Sequence, residues 1–255
     1  MKLLAIESSG LVASAAVFAD DTIVAEFTVN NKQTHSQTLL PMIDQVVTMS
    51  GIDLKEIDAI ATTSGPGSFT GLRIGAATAK GLGLALHKPI VPITTLEALA
   101  FRLAGREGNI CPMMDARRNQ VYTGVYRFEQ EFETVMEPCM MDTRELAREL
   151  NKYGERVILL GDGVPVNAQI LKENLEVPFS FAPAQCSRQR GASVAVLGAV
   201  YFTEGKTETA MEHKPDYLRK AQAERELEEA KRQGKVAELA AGHSVGDGSQ
   251  REGKA

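Results

Sequence analysis

Three strand-like runs crowded into the first thirty residues constrain this chain more than any other feature. "KLLAIES", "LVASAAVFAD" and "DTIVAEFTV" follow one another, with "ADD" as the hairpin turn between the last two. "SQTLLPMIDQVVTMSG" then reads as a helix that Thr34 or Ser36 can cap and Gly51 can close. "IDAIATT" reads as a short buried strand, and the glycine-rich stretch Thr62–Gly83 leads into a second helix ending near His87-Lys88-Pro89. "PIVPITT" adds a strand and "LEALAFRLAG" a third helix, so the order is βββαβαβα.

The order restarts near Asn109. "NICPMMDA", "QVYTGVYRF" and "FETVMEPCMM" look like three strands, "DTRELARELNKY" a helix, "RVILLGDG" a strand with a Gly-Asp-Gly turn, and "VNAQILKENL" a helix. This predicts an α/β chain of duplicated βββαβα lobes with the second lobe reduced, an actin-like (ASKHA, ribonuclease H-like) architecture. The expected division is 1–106 for the N-terminal lobe with its partner-binding helices and 107–218 for the C-terminal lobe. The apolar helix 191–204 is expected to pack back on the first lobe. Residues 219–255 are charged, then rich in glycine and serine, and their composition predicts disorder.

Composition excludes several classes of function. At 255 residues and 44% hydrophobic the chain can bury a core, yet no apolar stretch approaches a membrane span. The start imitates a signal peptide, but Glu7, Ser8 and Ser9 interrupt its apolar run, so a cytoplasmic protein with no membrane association is expected. Cys111, Cys139 and Cys186 are odd in number and far apart, which suits a reducing compartment. A net charge of −5 offers no general attraction to nucleic acid, so any basic surface for RNA is expected from a partner.

The stretch "TTSGPGSFTGLRIGAATAKGLG" holds the densest glycine cluster. No Gly-Lys-Ser/Thr closes it as a P-loop would, and Thr70 stands where G-x-G-x-x-G needs its third glycine. Gly65-Pro66-Gly67 makes a sharp turn that Ser68 or Thr70 can convert into a helix cap. Two readings follow: a plain corner, or a weak nucleotide or anion contact formed by Glu7, Ser8, Ser9, Gly65, Gly67 and Ser68. Glu7 occupies the place where actin-like kinases carry an aspartate near phosphate and magnesium, without their Asp-x-Gly.

Beyond the turn, Gly71, Gly75, Ala79 and Gly83 recur every four residues on one helix face. A glycine inside a helix costs about 0.5–1 kcal/mol relative to alanine, so several on one face imply close approach of something. That something is either the protein's own sheet or third helix, or a second subunit. On the first helix Leu39, Leu40, Ile43, Val46 and Val47 form a core stripe, while Thr38, Met42, Gln45 and Met49 form a second stripe suited to an adaptable protein contact. The histidines show neither H-x-x-x-H nor H-E-x-x-H spacing and no G-x-S-x-G elbow occurs, so neither a metal site nor a serine nucleophile is expected. Asp115 ends a strand beside Arg117 and Arg118, either as a turn former or as a contact for a ligand or partner.

Six segments in order resemble the TsaB (YeaZ) family: "LAIESSGLVASAAVF", "THSQTLLPMIDQVV", "TTSGPGSFTGLRIGAATAKGLG", "PMMDARRNQVYTGVY", "LLGDG" and "KPDYLR". The resemblance covers about residues 1–219 and leaves the tail outside it. It implies a noncatalytic scaffold and activating subunit for synthesis of threonylcarbamoyladenosine on tRNA. The partner TsaD would transfer the threonylcarbamoyl group to the adenosine next to the anticodon of tRNAs reading ANN codons. TsaE, a P-loop ATPase, would join the TsaB–TsaD pair, and the chain alone would form a homodimer. ATP and metal would be handled by the partner subunits, and tRNA would be met mainly through the complex. The family's partner contact lies on its first two helices, which match residues 36–50 and 71–86 and so Thr38, Met42, Gln45, Met49, Gly71, Gly75, Ala79 and Gly83. A rival reading from the same fold is a nucleotide-dependent small-molecule kinase, with Glu7, the 64–71 turn and Gly161-Asp162-Gly163 framing ATP. The absent zinc motif and serine elbow argue against a peptidase.

Overall fold

The computed structural model describes residues 1–31, 33–128 and 131–218, so the expectation for residues 219–255 lies outside the described residues. The opening runs form β1 (Lys2–Glu7), β2 (Ala13–Ala19) and β3 (Thr22–Val29), followed by α1 (His35–Ser50), β4 (Ala59–Gly65), α2 (Phe69–Leu86), β5 (Ile90–Thr94) and α3 (Thr95–Phe101). The strands make one sheet in the order β3-β2-β1-β4-β5. β1 runs antiparallel to β2 and parallel to β4. The second half repeats the pattern with β6 (Asn109–Asp115), β7 (Gln120–Phe128), β8 (Phe132–Asp142), α4 (Thr143–Tyr153), β9 (Val157–Leu160), α5 (Gly163–Asn174) and β10 (Phe179–Phe181), then α6 (Gly191–Thr203). Its sheet order, β10-β9-β6-β7-β8, is the first sheet's order translated along the chain. This is the duplicated actin-like α/β architecture, and both sheets belong to one compact unit, Met1–Leu218.

Side-chain alternation in β1 explains why it is apolar throughout. Leu4 and Ile6 face a core shared with Leu39, Ile43 and Val46 of α1 and Ala79 of α2. Leu3 and Ala5 face the opposite core, filled by Val194, Ala195 and Leu197 of α6. A strand buried on both faces has no polar side to show. α6 therefore lies on the first sheet, and closely: a Cβ on Gly198 would stand 2.6 Å from the Cβ of Ala61 in β4. Its first turn is tied down by Arg190, which donates to the Glu26 carboxylate, and by Gly191 N, which donates to Ser14 Oγ at 2.8 Å. α3 and the turn after it join the two sheets, because Leu96, Leu99 and Leu103 pack with Ile110, Met114 and Tyr126.

Two details of α1 differ from expectation. Its buried arc is Leu39, Met42, Ile43 and Val46, about 100° wide and rotated toward Met42, so Met42 is core and Leu40 is 57% exposed. Thr34 stands at the N-cap without a side-chain cap bond, whereas Gly51 closes the helix in the left-handed region at φ 69.

Candidate functional site

The turn between β4 and α2 packs backbone to backbone on the turn after β1. Ser68 N donates to Ser9 O at 2.7 Å, and a Cβ on Gly67 or Gly71 would overlap the carbonyl oxygen of Ser9 or Ser8 respectively. Only glycine permits that approach. Ser8 Oγ donates to Gly71 O at 2.9 Å, and Ser9 donates to Glu7 Oε1 from both its N–H, at 2.7 Å, and its hydroxyl. Glu7, Ser8 and Ser9 are all buried. Ser68 Oγ accepts from Gly71 N at 3.3 Å and so caps α2. The expected anion-contact set is thus directed into the protein's own hydrogen bonds, with Gly65 and Gly67 acting as spacers between strands of backbone. Burial pushes the Glu7 carboxyl up to about 7, against hydrogen bonds from Ser9 that favour ionisation. A carboxylate seeking phosphate-bound magnesium needs an open edge; Glu7 is fully buried.

The second lobe repeats this economy of space. Gly161 sits at φ +108, where a Cβ would overlap Met113 O, and a Cβ on Gly163 would meet the same oxygen at 3.0 Å. Asp162 Oδ1 accepts from Asp115 N at 3.3 Å, and burial raises the pKa of Asp162. Gly161-Asp162-Gly163 is thereby packed on β6. Among the described residues, no group of three or more His, Cys, Asp or Glu is placed to hold a metal ion.

The four-residue periodicity on α2 also points inward. A Cβ on Gly75 would overlap Ser8 Oγ, Ala79 is fully buried, and a Cβ on Gly83 would meet Ala210 Cβ at 3.0 Å and Lys88 O at 3.1 Å. Gly71, Gly75 and Gly83 therefore admit the protein's own atoms, from Ser8, Ala210 and Lys88, and with Ala79 they form the buried face of α2. The outward face of α2 carries a second set of small residues at the same spacing: Ala77, Gly81 and Ala85 are exposed, and a Cβ on Gly81 would meet nothing within 4 Å. Leu84, 48% exposed, lies beside them. On α1, which packs beside α2, Gln45 is exposed, Met49 is 73% exposed, Thr38 is half-buried and Met42 is buried. Exposed Leu40 lies on the other flank of the buried arc, about 140° from Gln45 and 180° from Met49 around α1.

Sequence reasoning missed a strap over α2. Residues 207–217 return across the first lobe, with Glu208 N donating to Ile90 O and Ile90 N to Glu208 O, both at 2.9 Å. Lys80 Nζ donates to Met211 O at 3.0 Å and His213 O at 2.8 Å. Asp216 N donates to Ser64 O at 2.6 Å, where a Cβ on Gly65 would overlap Asp216 O. Tyr217 packs against Phe69 with the rings tilted by 37° and centroids 4.9 Å apart, and the Arg73 guanidinium lies 3.8 Å over the Phe69 ring. The signal was present: "KPDYLR" is an isolated motif outside the predicted elements, and its Asp216 fills the space at Gly65, while Ala210 just before it fills that at Gly83.

Comparison with known proteins fits this arrangement. A family model described as "TsaD: tRNA N6-adenosine threonylcarbamoyltransferase" matches residues 22–227. The chain is 31% identical over 230 residues to the tRNA threonylcarbamoyladenosine biosynthesis protein TsaB of Bacillus subtilis (strain 168), covering 88% of this chain and 96% of that one. It is 30% identical over 229 residues to the TsaB of Escherichia coli (strain K12), covering 86% and 95%. The solved structure of YeaZ from Pseudomonas aeruginosa superposes with a TM-score of 0.73 at 25% identity, covering 85% of this chain and 99% of that chain. Likeness over nearly the whole length, in sequence and in fold, assigns the chain to the TsaB (YeaZ) family.

Proposed function

We propose that this chain is a noncatalytic scaffold and activating subunit in the synthesis of threonylcarbamoyladenosine on tRNA. It pairs with TsaD, which carries out the transfer, and the pair is joined by TsaE. ATP and metal are handled by those partners. The protein works in the cytoplasm and forms a homodimer through the same surface when TsaD is absent. The observation that carries the noncatalytic reading is the closed double turn at Glu7–Gly10 and Gly65–Gly71. In a nucleotide-dependent enzyme of this fold those turns would cradle phosphate, whereas here each occupies the other's space. The alternative, a small-molecule kinase, requires them to part.

The pairing surface is built from Gln45 and Met49 of α1 and Ala77, Gly81 and Leu84 of α2. Small residues on α2 let a helix approach, and the flexible Met49 adapts to what arrives. Titration of the purified chain with ATP and magnesium, together with a turnover assay, tests the reading. It predicts neither saturable micromolar binding nor hydrolysis; either would instead favour the kinase.

A further inference from the structure

The tight loop between β6 and β7 is built in a way its fold does not require. Arg117, Arg118 and Asn119 all lie in the left-handed region, at φ 66, 55 and 59. Asparagine tolerates that conformation and glycine favours it, but arginine is strained there. The loop is nonetheless held from several sides. Asp115 Oδ1 accepts from Arg117 N at 2.8 Å, and Ala116 N and Gln120 N close the turn onto Gln120 O and Arg117 O. Asn119 O accepts from Thr143 N at 2.9 Å and from Thr143 Oγ1 at 3.0 Å, which pins the loop to the start of α4. Thr143 Oγ1 lies in turn 3.0 Å from the buried Asn167. Both arginine residues are exposed to solvent.

The charges around the loop sort in one direction. Arg117 and Arg118 are exposed with no ion pair among the described residues, and Arg144, directly after the Thr143 anchor, is exposed as well. The neighbouring carboxylates are occupied by backbone: Asp115 by Arg117 N, Asp142 by Arg144 N at 2.8 Å, and Asp162 by Asp115 N. Glu145 is exposed on the next position of α4. Two adjacent exposed arginines on a turn held by hydrogen bonds present forked guanidinium groups, the side chain suited to binding phosphate oxygens in a bidentate manner.

We propose that Arg117 and Arg118 form a contact for the phosphodiester backbone of RNA, so that this acidic chain meets tRNA directly through one local basic point. The choice of RNA among polyanions rests on the role proposed above. Contacts of this kind position a nucleic acid without reading its sequence. The contact therefore serves any tRNA with equal strength, leaving discrimination to the partner.

The test replaces both arginines with asparagine, which keeps the left-handed turn and removes the charge. Binding of an unmodified tRNA transcript is measured at several salt concentrations, for the full chain alone and mixed with TsaD. Arg117→Asn/Arg118→Asn is expected to weaken binding about tenfold and to reduce the slope of log affinity against log salt by about 2. Arg117→Lys/Arg118→Lys is expected to restore most of that slope. Unchanged affinity and slope in both settings overturn the proposal. Loss of TsaD association with RNA binding intact overturns it too, because the loop would then serve an acidic protein surface. A chain that supports tRNA modification yet shows no arginine-dependent RNA binding sinks this inference alone; one that binds RNA through these residues but leaves modification unaffected sinks the proposed role alone.

Discussion

Gly75 offers the sharpest test of what the glycine face of α2 is for. A methyl group added there would overlap Ser8 Oγ but stand 3.6 Å from Ser8 Cβ, an ordinary contact distance. Gly75→Ala therefore forces the Ser8 hydroxyl to turn away and to give up its 2.9 Å bond to Gly71 O inside a buried site. Leaving a buried hydroxyl and carbonyl without their bond costs about 1–3 kcal/mol. Against this, alanine gains about 0.5–1 kcal/mol over glycine in a helix. The net expectation is a loss of about 1–2 kcal/mol, or a fall of about 2–8 °C in Tm for a chain of this size. In a Ser8→Ala background the obstruction is gone, and Gly75→Ala should then stabilise by about 0.5–1 kcal/mol. The two substitutions are thus coupled, with a sign reversal that urea unfolding of the four proteins in the double-mutant cycle would resolve. Equal destabilisation by Gly75→Ala in both backgrounds would refute the argument, because Ser8 would not be what the glycine admits.

Other substitutions probe separate parts of the structure. Glu7→Gln removes a buried acid whose folded pKa of about 7 lies above its ordinary 4.5; in the native chain stability is full below pH 4.5, falls between 4.5 and 7 as ionisation is resisted, and is flat above. The variant should gain on the native protein by about 3 kcal/mol between pH 4.5 and pH 8, and a stability difference that does not change with pH contradicts the burial argument. Lys80→Met deprives two strap carbonyls of a charged donor, so limited proteolysis within residues 207–217 should accelerate while far-ultraviolet circular dichroism stays unchanged; an unaltered cleavage rate would show that the strap is held elsewhere. Ala79→Arg should unfold the first lobe, since Ala79 has no exposed surface, whereas Gly81→Arg should leave the melting temperature within about 2 °C because its side chain enters solvent.

Much of this architecture is legible in the sequence because the two periodicities differ so plainly. Alternating or continuous apolar runs mark every strand except the three-residue β10 at Phe179–Phe181, too short to carry a pattern. The restart near Asn109 gives the duplication. What the sequence leaves ambiguous is the direction of a helix face. On α2, Gly71-Gly75-Ala79-Gly83 and Ala77-Gly81-Ala85 are both small-residue series with a period of four, and burial of Leu72 and Ala76 beside the first series decides which one faces the core. On α1 a leucine and a methionine exchange places, because an arc of about 100° can be centred on either side of Leu39. The strap lies beyond local patterning altogether: its bonds join residues more than a hundred positions apart, such as Lys80 and His213. The close packing of the two turns rests on backbone oxygens at Ser8 and Ser9, which no side-chain pattern announces.

The most direct test of the central claim is threonylcarbamoyl transfer to tRNA by purified TsaD and TsaE, with this chain omitted, added, or added as Gly81→Arg. The account predicts transfer only when the native chain is present, with the folded Gly81→Arg protein failing both to associate with TsaD and to support the reaction. Undiminished transfer without the chain would contradict it, as would full support from Gly81→Arg.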